Sequence, residues 1–379
     1  MAQRASNPAS PLGLLRQERQ SVWLDFMHRR MLKDGELKVL IEARGVRGAT
    51  SNPTIFEQAI GQSDAYDEAI QKLAARGKDT IAIYETLAIE DIQAACDQFR
   101  PIFEMTAGSD GFVSMEVSPR LAHDTAGTIA EARRLWKAID RPNLMVKIPG
   151  TPEGLPAITQ TLADGLNINI TLLFAVSMYE RVIDAYLGAL EQRVAAGQGL
   201  EMIRSVASFF VSRVDTEADR RLEALNRSAE TGPLMGTAAI ANAKLAYEKY
   251  TQHFEGDRFR RLMAKGAAVQ RPLWASTGTK NPKYPDTKYV DGLIGPDTVN
   301  TMPPATLEAF ADHGTAVRTI DKNVPAAKRE IAAIEALGVK LGDVTDFLVQ
   351  DGVKKFADSF TQLLAAVENK KKMLVAGSR

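Results

Sequence analysis

A lysine stands inside an otherwise apolar, strand-like run, Leu144-Met145-Val146-Lys147-Ile148-Pro149-Gly150. An ammonium held in a dry interior is costly, and the cost falls when it sheds its proton. A neutral lysine amine can attack a carbonyl carbon and form a Schiff base. The plainer alternative is a strand-end lysine that reaches water or pairs with a carboxylate. Which reading holds depends on what else the fold brings beside Lys147.

The chain alternates short β-like runs with longer stretches of helical periodicity. The candidate strands are Ser21–Asp25, Val46–Asn52, Gly111–Val117, Asn143–Ile148, Asn167–Leu173, Ser205–Phe210, Pro272–Ser276 and Thr298–Met302. Helical patterns fill nearly all the gaps: Ala65–Ala75 and Leu87–Phe99, then Gly127–Ile139, Pro156–Asp164, Ser177–Val194, Thr216–Leu225 and Ala238–Tyr250. About eight strands, each followed by a helix, is the pattern of an α/β (β/α)8 TIM barrel with extra helices. A doubly wound open sheet would want a Gly-rich turn after its first strand, and the sequence has none. No repeat, low-complexity tract or linker marks a second domain, so residues 1–379 read as one barrel domain. Residues 1–11, rich in Ser, Pro and Ala, read as a flexible leader. The spacing of Val353, Phe356, Phe360, Leu363, Leu364 and Val367 predicts an amphipathic C-terminal helix over 353–375, packed on the barrel. Its Lys370-Lys371-Lys372 run reads as a solvated helix end.

Strand parity turns this outline into a site. Successive side chains on a strand point to opposite faces, so alternate residues share the barrel interior. With Leu144, Val146 and Ile148 toward the helices, Met145 and Lys147 point inward. The same count places Ser114 and Glu116 inside, and likewise Asn167, Asn169 and Thr171. It puts Asp25 inside with Trp23, Asn52 with Thr50, Ser208 with Phe210, and Ser276 with Trp274. A barrel interior is normally filled by branched apolar residues, and barrel active sites lie at the C-terminal strand ends. Polar inward groups near that end of strand after strand argue for an enzyme rather than a structural barrel.

The available chemistry is narrow. No His-x-x-x-His or Cys-x-x-Cys spacing offers a metal site, no Walker-type loop is present, and no cofactor is expected. The four histidines are scattered and read as surface or supporting residues. The loop Ser276-Thr277-Gly278-Thr279-Lys280 offers hydroxyls, backbone N–H groups and a cation, which suit a phosphate as well as a plain turn. Arg213, just past a strand, could supply a second cation. One inward lysine, two inward carboxylates and a set of hydroxyl-binding side chains fit a metal-free lysine aldolase acting on a phosphorylated polyol chain. Composition agrees: 47 basic and 47 acidic residues give a formal net charge of +0, which leaves no nucleic-acid footprint. No window approaches the ~20 apolar residues of a membrane span. The single Cys96 suits a reducing compartment, so the chain is expected to be cytoplasmic.

Five segments stand out together: Gly48-Ala-Thr-Ser-Asn-Pro-Thr-Ile-Phe56, Val113-Ser-Met-Glu-Val-Ser-Pro-Arg120, Val146-Lys-Ile-Pro-Gly-Thr151, Asn167-Ile-Asn-Ile-Thr-Leu-Leu-Phe174 and Ser208-Phe-Phe-Val-Ser-Arg213. Together they resemble the transaldolase family. The likeness runs from about Val22 to the C-terminal helix, and Arg271-Pro-Leu-Trp-Ala-Ser276 is similar to the longer bacterial branch. The resemblance implies Lys147 as the Schiff-base lysine and Asp25 as the acceptor of the C4 hydroxyl proton. It implies Glu116 as an acid–base group working through a water held partly by Thr171. It places Asn52, Asn169 and Ser208 on the dihydroxyacetone hydroxyls, and Arg213 and Ser276 on the phosphate. The family often carries an arginine two residues after that serine. Here Gly278 stands there and Lys280 follows, a point charge rather than a fork. The implied reaction exchanges sedoheptulose 7-phosphate and glyceraldehyde 3-phosphate for erythrose 4-phosphate and fructose 6-phosphate. The implied partners are sugar phosphates alone, for a monomer or homodimer. Two alternatives stand beside it: a fructose 6-phosphate aldolase, which Glu116 and Phe210 disfavour by resemblance, and a non-catalytic sugar-phosphate-binding barrel.

Overall fold

The structure is a computed structural model that describes residues 10–376. The expected leader falls outside the described residues up to residue 9. Ser10 and Pro11 already open a helix, Pro11–Gln17, with the Ser10 hydroxyl accepting the Gly13 N–H at 3.1 Å.

Seven strands form one parallel sheet: β1 (Gln20–Leu24), β2 (Val113–Glu116), β3 (Leu144–Pro149), β4 (Ile168–Leu173), β5 (Ser205–Phe210), β6 (Gln270–Ala275) and β7 (Thr298–Met302). Their order is β1-β7-β6-β5-β4-β3-β2. Helices Thr125–Ile139, Gly154–Ala163 and Val176–Ala195 supply the crossovers from β2 to β5, as parallel neighbours require. The expected strand Val46–Asn52 is not one; only Ala49 makes a ladder contact, to Leu24 on one side and Val113 on the other. The segment is nonetheless bonded to both sheet edges. Arg47 and Thr50 donate N–H groups to Val22 and Leu24 of β1 at 2.8 and 2.9 Å, and Ala49 donates to Phe112 O at 2.9 Å. Gly48 permits this squeeze, since a Cβ there would lie 2.7 Å from the Trp23 ring and 2.8 Å from Phe112 O. The ladder stops because Asn52 turns to cap the helix Pro53–Gln62, with Pro53 in its first turn.

The cross-strand register bears out the interior face of six segments and reverses one. Glu116 pairs with Lys147, Lys147 with Asn169, and Trp23 with Thr301, so these side chains share one face. In β6, however, Trp274 pairs with Phe209 and packs against its ring, on the side where Phe209 meets Tyr179 of a covering helix. Ala275, paired with Phe210, holds the interior place. Ser276 reaches the same side only because its backbone swings into the left-handed region, φ +56°. The run Pro-Leu-Trp-Ala is apolar on both faces and carries no period of two, so parity had nothing to read. A second irregularity sits in β4, where the register with β5 shifts between Ile170 and Leu173 and Leu172 takes φ +60°.

The C-terminal helix runs Leu341–Ala376, starting well before Val353. Gly352 looks like a helix stop, yet it is interior to the helix. A Cβ there would lie 2.9 Å from Leu172 Cδ2, so glycine lets the helix press on the bulge of β4. Lys370 is no solvated end residue, since it donates to Ser63 O at 2.5 Å and Asp67 at 2.6 Å.

Candidate active site

β3 delivers Lys147 between two carboxyl- and amide-bearing neighbours, Glu116 on β2 and Asn169 on β4. The residue is buried, 4% exposed, and Nζ donates to Ser51 O at 3.1 Å while lying 3.6 Å from Glu116 Oε2. Among the described residues neither Glu116 oxygen has a protein hydrogen-bond donor. Burial pushes its carboxyl up to about 7, with the Lys147 charge pulling the other way.

Asp25 follows directly on β1 and accepts the Thr50 hydroxyl at 2.7 Å; Thr50 in turn lies 2.8 Å from the Thr301 hydroxyl. Burial lifts the Asp25 carboxyl above the usual range, against that hydrogen bond and the charges of Lys147, Arg213 and Lys280. A carboxylate held higher than usual is a better base near neutral pH.

A cavity of about 490 Å3 at the C-terminal strand ends gathers most of the expected set: Asp25, Asn52, Lys147, Thr171, Ser208, Arg213, Ser276 and Lys280 all line it. Asn52 has its Oδ1 committed to the Ile55 N–H at 3.0 Å, which leaves Nδ2 to face a ligand. Thr171 Oγ1 is buried without a protein partner among the described residues. Two expected residues do not line the cavity. Asn169 is fully buried behind it, donating to Ser114 Oγ at 2.9 Å and accepting from Ser208 Oγ at 2.6 Å, so it orients Ser208. Glu116 lies beside Lys147, 3.6 Å from its Nζ, with both carboxyl oxygens buried.

The cationic end of the cavity is built around Arg213. Its guanidinium lies over the Phe210 ring at 5.3 Å, and Nη1 is buried without a protein partner among the described residues. Burial draws it below the usual arginine range. Ser276 Oγ sits 3.0 Å from Ser212 Oγ, whereas Lys280 is exposed at the rim. Sequence reasoning missed Phe26, Gln58 and Phe356 in the cavity wall. Phe356 belongs to the apolar stripe of the C-terminal helix, but spacing alone does not tell which part of a stripe faces a cavity. His28 caps a helix through Nδ1, and His123 pairs with Glu153. Among the described residues no group of His, Cys, Asp or Glu could hold a metal ion, and no helix is long and apolar enough to cross a membrane.

A model of the family described as transaldolase/fructose-6-phosphate aldolase matches residues 22–367. The chain belongs to this family. Relatives named transaldolase agree with the transaldolase side of it. The one from Saccharopolyspora erythraea is 53% identical over 92% of this chain and 94% of its own length. That from Parafrankia sp. is 51% identical over 95% and 97%. That from Thermobifida fusca is 50% identical over 94% and 97%.

Proposed function

We propose that this cavity carries the transaldolase reaction, moving a dihydroxyacetone unit between sugar phosphates through a Schiff base on Lys147. The observation that carries the residue assignment is the buried Lys147 Nζ, 3.6 Å from a carboxyl raised to about 7, on the wall of a cavity that also holds Asp25. The neutral amine adds to the ketose C2 carbonyl. Glu116 in its acid form gives a proton to the departing carbinolamine hydroxyl, water leaves, and an iminium remains. Asp25 takes the C4 hydroxyl proton, the C3–C4 bond breaks, and its electron pair moves into the iminium to give an enamine. An aldose phosphate departs, and Asp25 returns the proton when the next aldehyde is attacked. Asn52 and Ser208 hold the three-carbon unit, and Thr171 steadies the reacting water. Splitting the transfer at a covalent intermediate predicts ping-pong kinetics.

In the fold this reading supports, Arg47–Thr50 acts as the eighth stave, bonded to both edges of the sheet, and closes a single-domain (β/α)8 barrel. The site's place at the C-terminal strand ends fits that architecture. The test is partition: with fructose 6-phosphate alone, less than one equivalent of free dihydroxyacetone should appear in minutes. Erythrose 4-phosphate should start multiple turnover. Rapid release of dihydroxyacetone without acceptor would place the protein on the aldolase side.

Arg213 is the principal phosphate ligand in this reading, because its buried Nη1 lacks a protein partner among the described residues while Lys280 is exposed. Arg213→Ala should raise KM for fructose 6-phosphate roughly 10- to 100-fold, with a smaller change in kcat. Lys280→Ala should cost under about tenfold, as expected of a solvated charge. Steady-state kinetics of both variants with one substrate preparation checks the ranking, and a larger KM effect from Lys280→Ala would reverse it.

A further inference from the structure

The ends of β1, β7 and the Arg47–Thr50 segment meet at Asp25. Asp25 donates its N–H to Met302 O at 2.8 Å, and Thr50 donates its own to Leu24 O at 2.9 Å. Thr301 lies opposite Trp23 in the β1–β7 register, one residue before Met302. Three adjacent backbones therefore fix where the side chains of Asp25, Thr50 and Thr301 start. All three line the substrate cavity, and both threonines are buried. Branching at Cβ restricts χ1 of a threonine, so each hydroxyl keeps the place its backbone gives it. A carboxylate has no such restraint, because its terminal torsion is broad and nearly two-fold. The plane of the Asp25 carboxylate therefore depends on what bonds it.

Thr50 Oγ1 lies 2.7 Å from Asp25 Oδ1 and 2.8 Å from Thr301 Oγ1. A hydroxyl has one hydrogen, and an ionised carboxylate only accepts. The Thr50 hydrogen therefore goes to Asp25, and Thr301 supplies the hydrogen between the two threonines. The chain runs one way, from Thr301 to Thr50 to Asp25 Oδ1. Asp25 Oδ2 has no protein donor among the described residues and is left to the cavity. Charges act on Asp25 from other elements: Lys147 on β3, Arg213 past β5 and Lys280 past β6 attract it, and Glu116 on β2 opposes it. Among the described residues, Thr50 alone bonds the carboxylate itself.

We propose that Thr50 and Thr301 are positioning residues for carbon–carbon cleavage: their hydroxyl chain holds Asp25 by Oδ1 and so presents Oδ2 to the C4 hydroxyl. This rests on the reading of Lys147 as the Schiff-base lysine and Asp25 as the base. The step balances: the C4 hydroxyl proton goes to Oδ2, the O–H pair becomes the second bond of the aldehyde, and the C3–C4 pair moves into the iminium. Oδ1 keeps the Thr50 hydrogen bond throughout, so the carboxyl does not turn when it gains or returns the proton. Imine formation at Lys147 makes no use of Asp25. The chain therefore acts on cleavage and not on the step before it.

Rapid quenching separates the two steps. Enzyme mixed with fructose 6-phosphate alone and quenched with borohydride at successive times gives two adducts on Lys147. One is an intact hexose phosphate, caught before cleavage; the other is a three-carbon fragment, caught after it. Thr50→Val keeps the shape of the side chain and removes the hydroxyl. It should slow the burst of glyceraldehyde 3-phosphate roughly 10- to 100-fold, the scale of a misplaced catalytic group, while total adduct forms at the parent's rate. The early adduct then shifts from the three-carbon mass to the hexose phosphate mass. Thr50→Ser restores a hydroxyl and should recover most of the burst. Thr301→Val should shift the adduct the same way to a lesser degree, and it decides the matter where Thr50→Val fails to fold. A parental adduct ratio in the folded variant, or equal slowing of adduct formation and cleavage, overturns the proposal. No adduct of either mass in the parent enzyme would instead sink the Schiff-base reading itself.

Discussion

Lys147→Met should lower turnover of fructose 6-phosphate with erythrose 4-phosphate by at least about 10^4-fold, because no other route to the covalent intermediate exists without the amine. The substitution is a clean one on structural grounds. Methionine has nearly the length of lysine and suits a site that is 4% exposed. It removes the donor to Ser51 O and the only cation within 4 Å of Glu116 among the described residues. An anion abandoned in the interior would unfold many proteins. Here the carboxyl already sits at about 7 with Lys147 drawing it down, so losing that charge raises it further and leaves the group protonated, hence neutral, at pH 7. The variant should therefore fold. Borohydride with fructose 6-phosphate should add one substrate fragment to the parent chain, located at Lys147 by mass spectrometry, and none to Lys147→Met. An adduct of equal yield in the variant would move the nucleophile elsewhere.

What could be read from the sequence follows from where side chains alternate cleanly. In β2 and β3 a polar or charged residue stands between apolar ones, and the interior positions of Ser114, Glu116 and Lys147 come directly from that period. In β6 apolar residues fill both faces, and the assignment of Trp274 failed. No pattern announces a left-handed residue such as Ser276 or a bulge such as that at Leu172, because both arise from how a strand end meets its neighbours. The segment after Gly48 carries the right residues for a stave but spans too few ladder bonds before Asn52 turns to cap a helix. The site shows the same division. Residue types at the strand ends named the groups, but not the layer each occupies. Asn169 and Ser208 are equivalent hydroxyl binders by type, yet only Ser208 meets the cavity while Asn169 holds it in place.

Glu116→Gln should reduce kcat at pH 7.5 by roughly 10^2- to 10^3-fold, the usual worth of a positioned acid–base group. The pH profile gives the sharper result. With two protons on the Lys147–Glu116 pair, the lysine is an ammonium and cannot attack. With one proton, that proton can rest on Glu116, which yields the reactive combination of free amine and carboxylic acid without exchange with solvent. Burial sets the loss of the first proton near pH 7, and the titration belongs to the pair. Below about 7 the parent's kcat/KM should therefore fall, approaching tenfold per pH unit, and above it the profile should level. In Glu116→Gln no carboxylate stands beside the ammonium to take its proton internally, so the parent's levelling near pH 7 should disappear from the profile. Glutamine keeps the shape of the side chain, so a change in profile reports the lost proton site rather than altered packing. Stopped-flow measurement of imine formation between pH 5.5 and 9 reads both curves. A variant that levels at the same pH as the parent would show that Glu116 does not hold this proton.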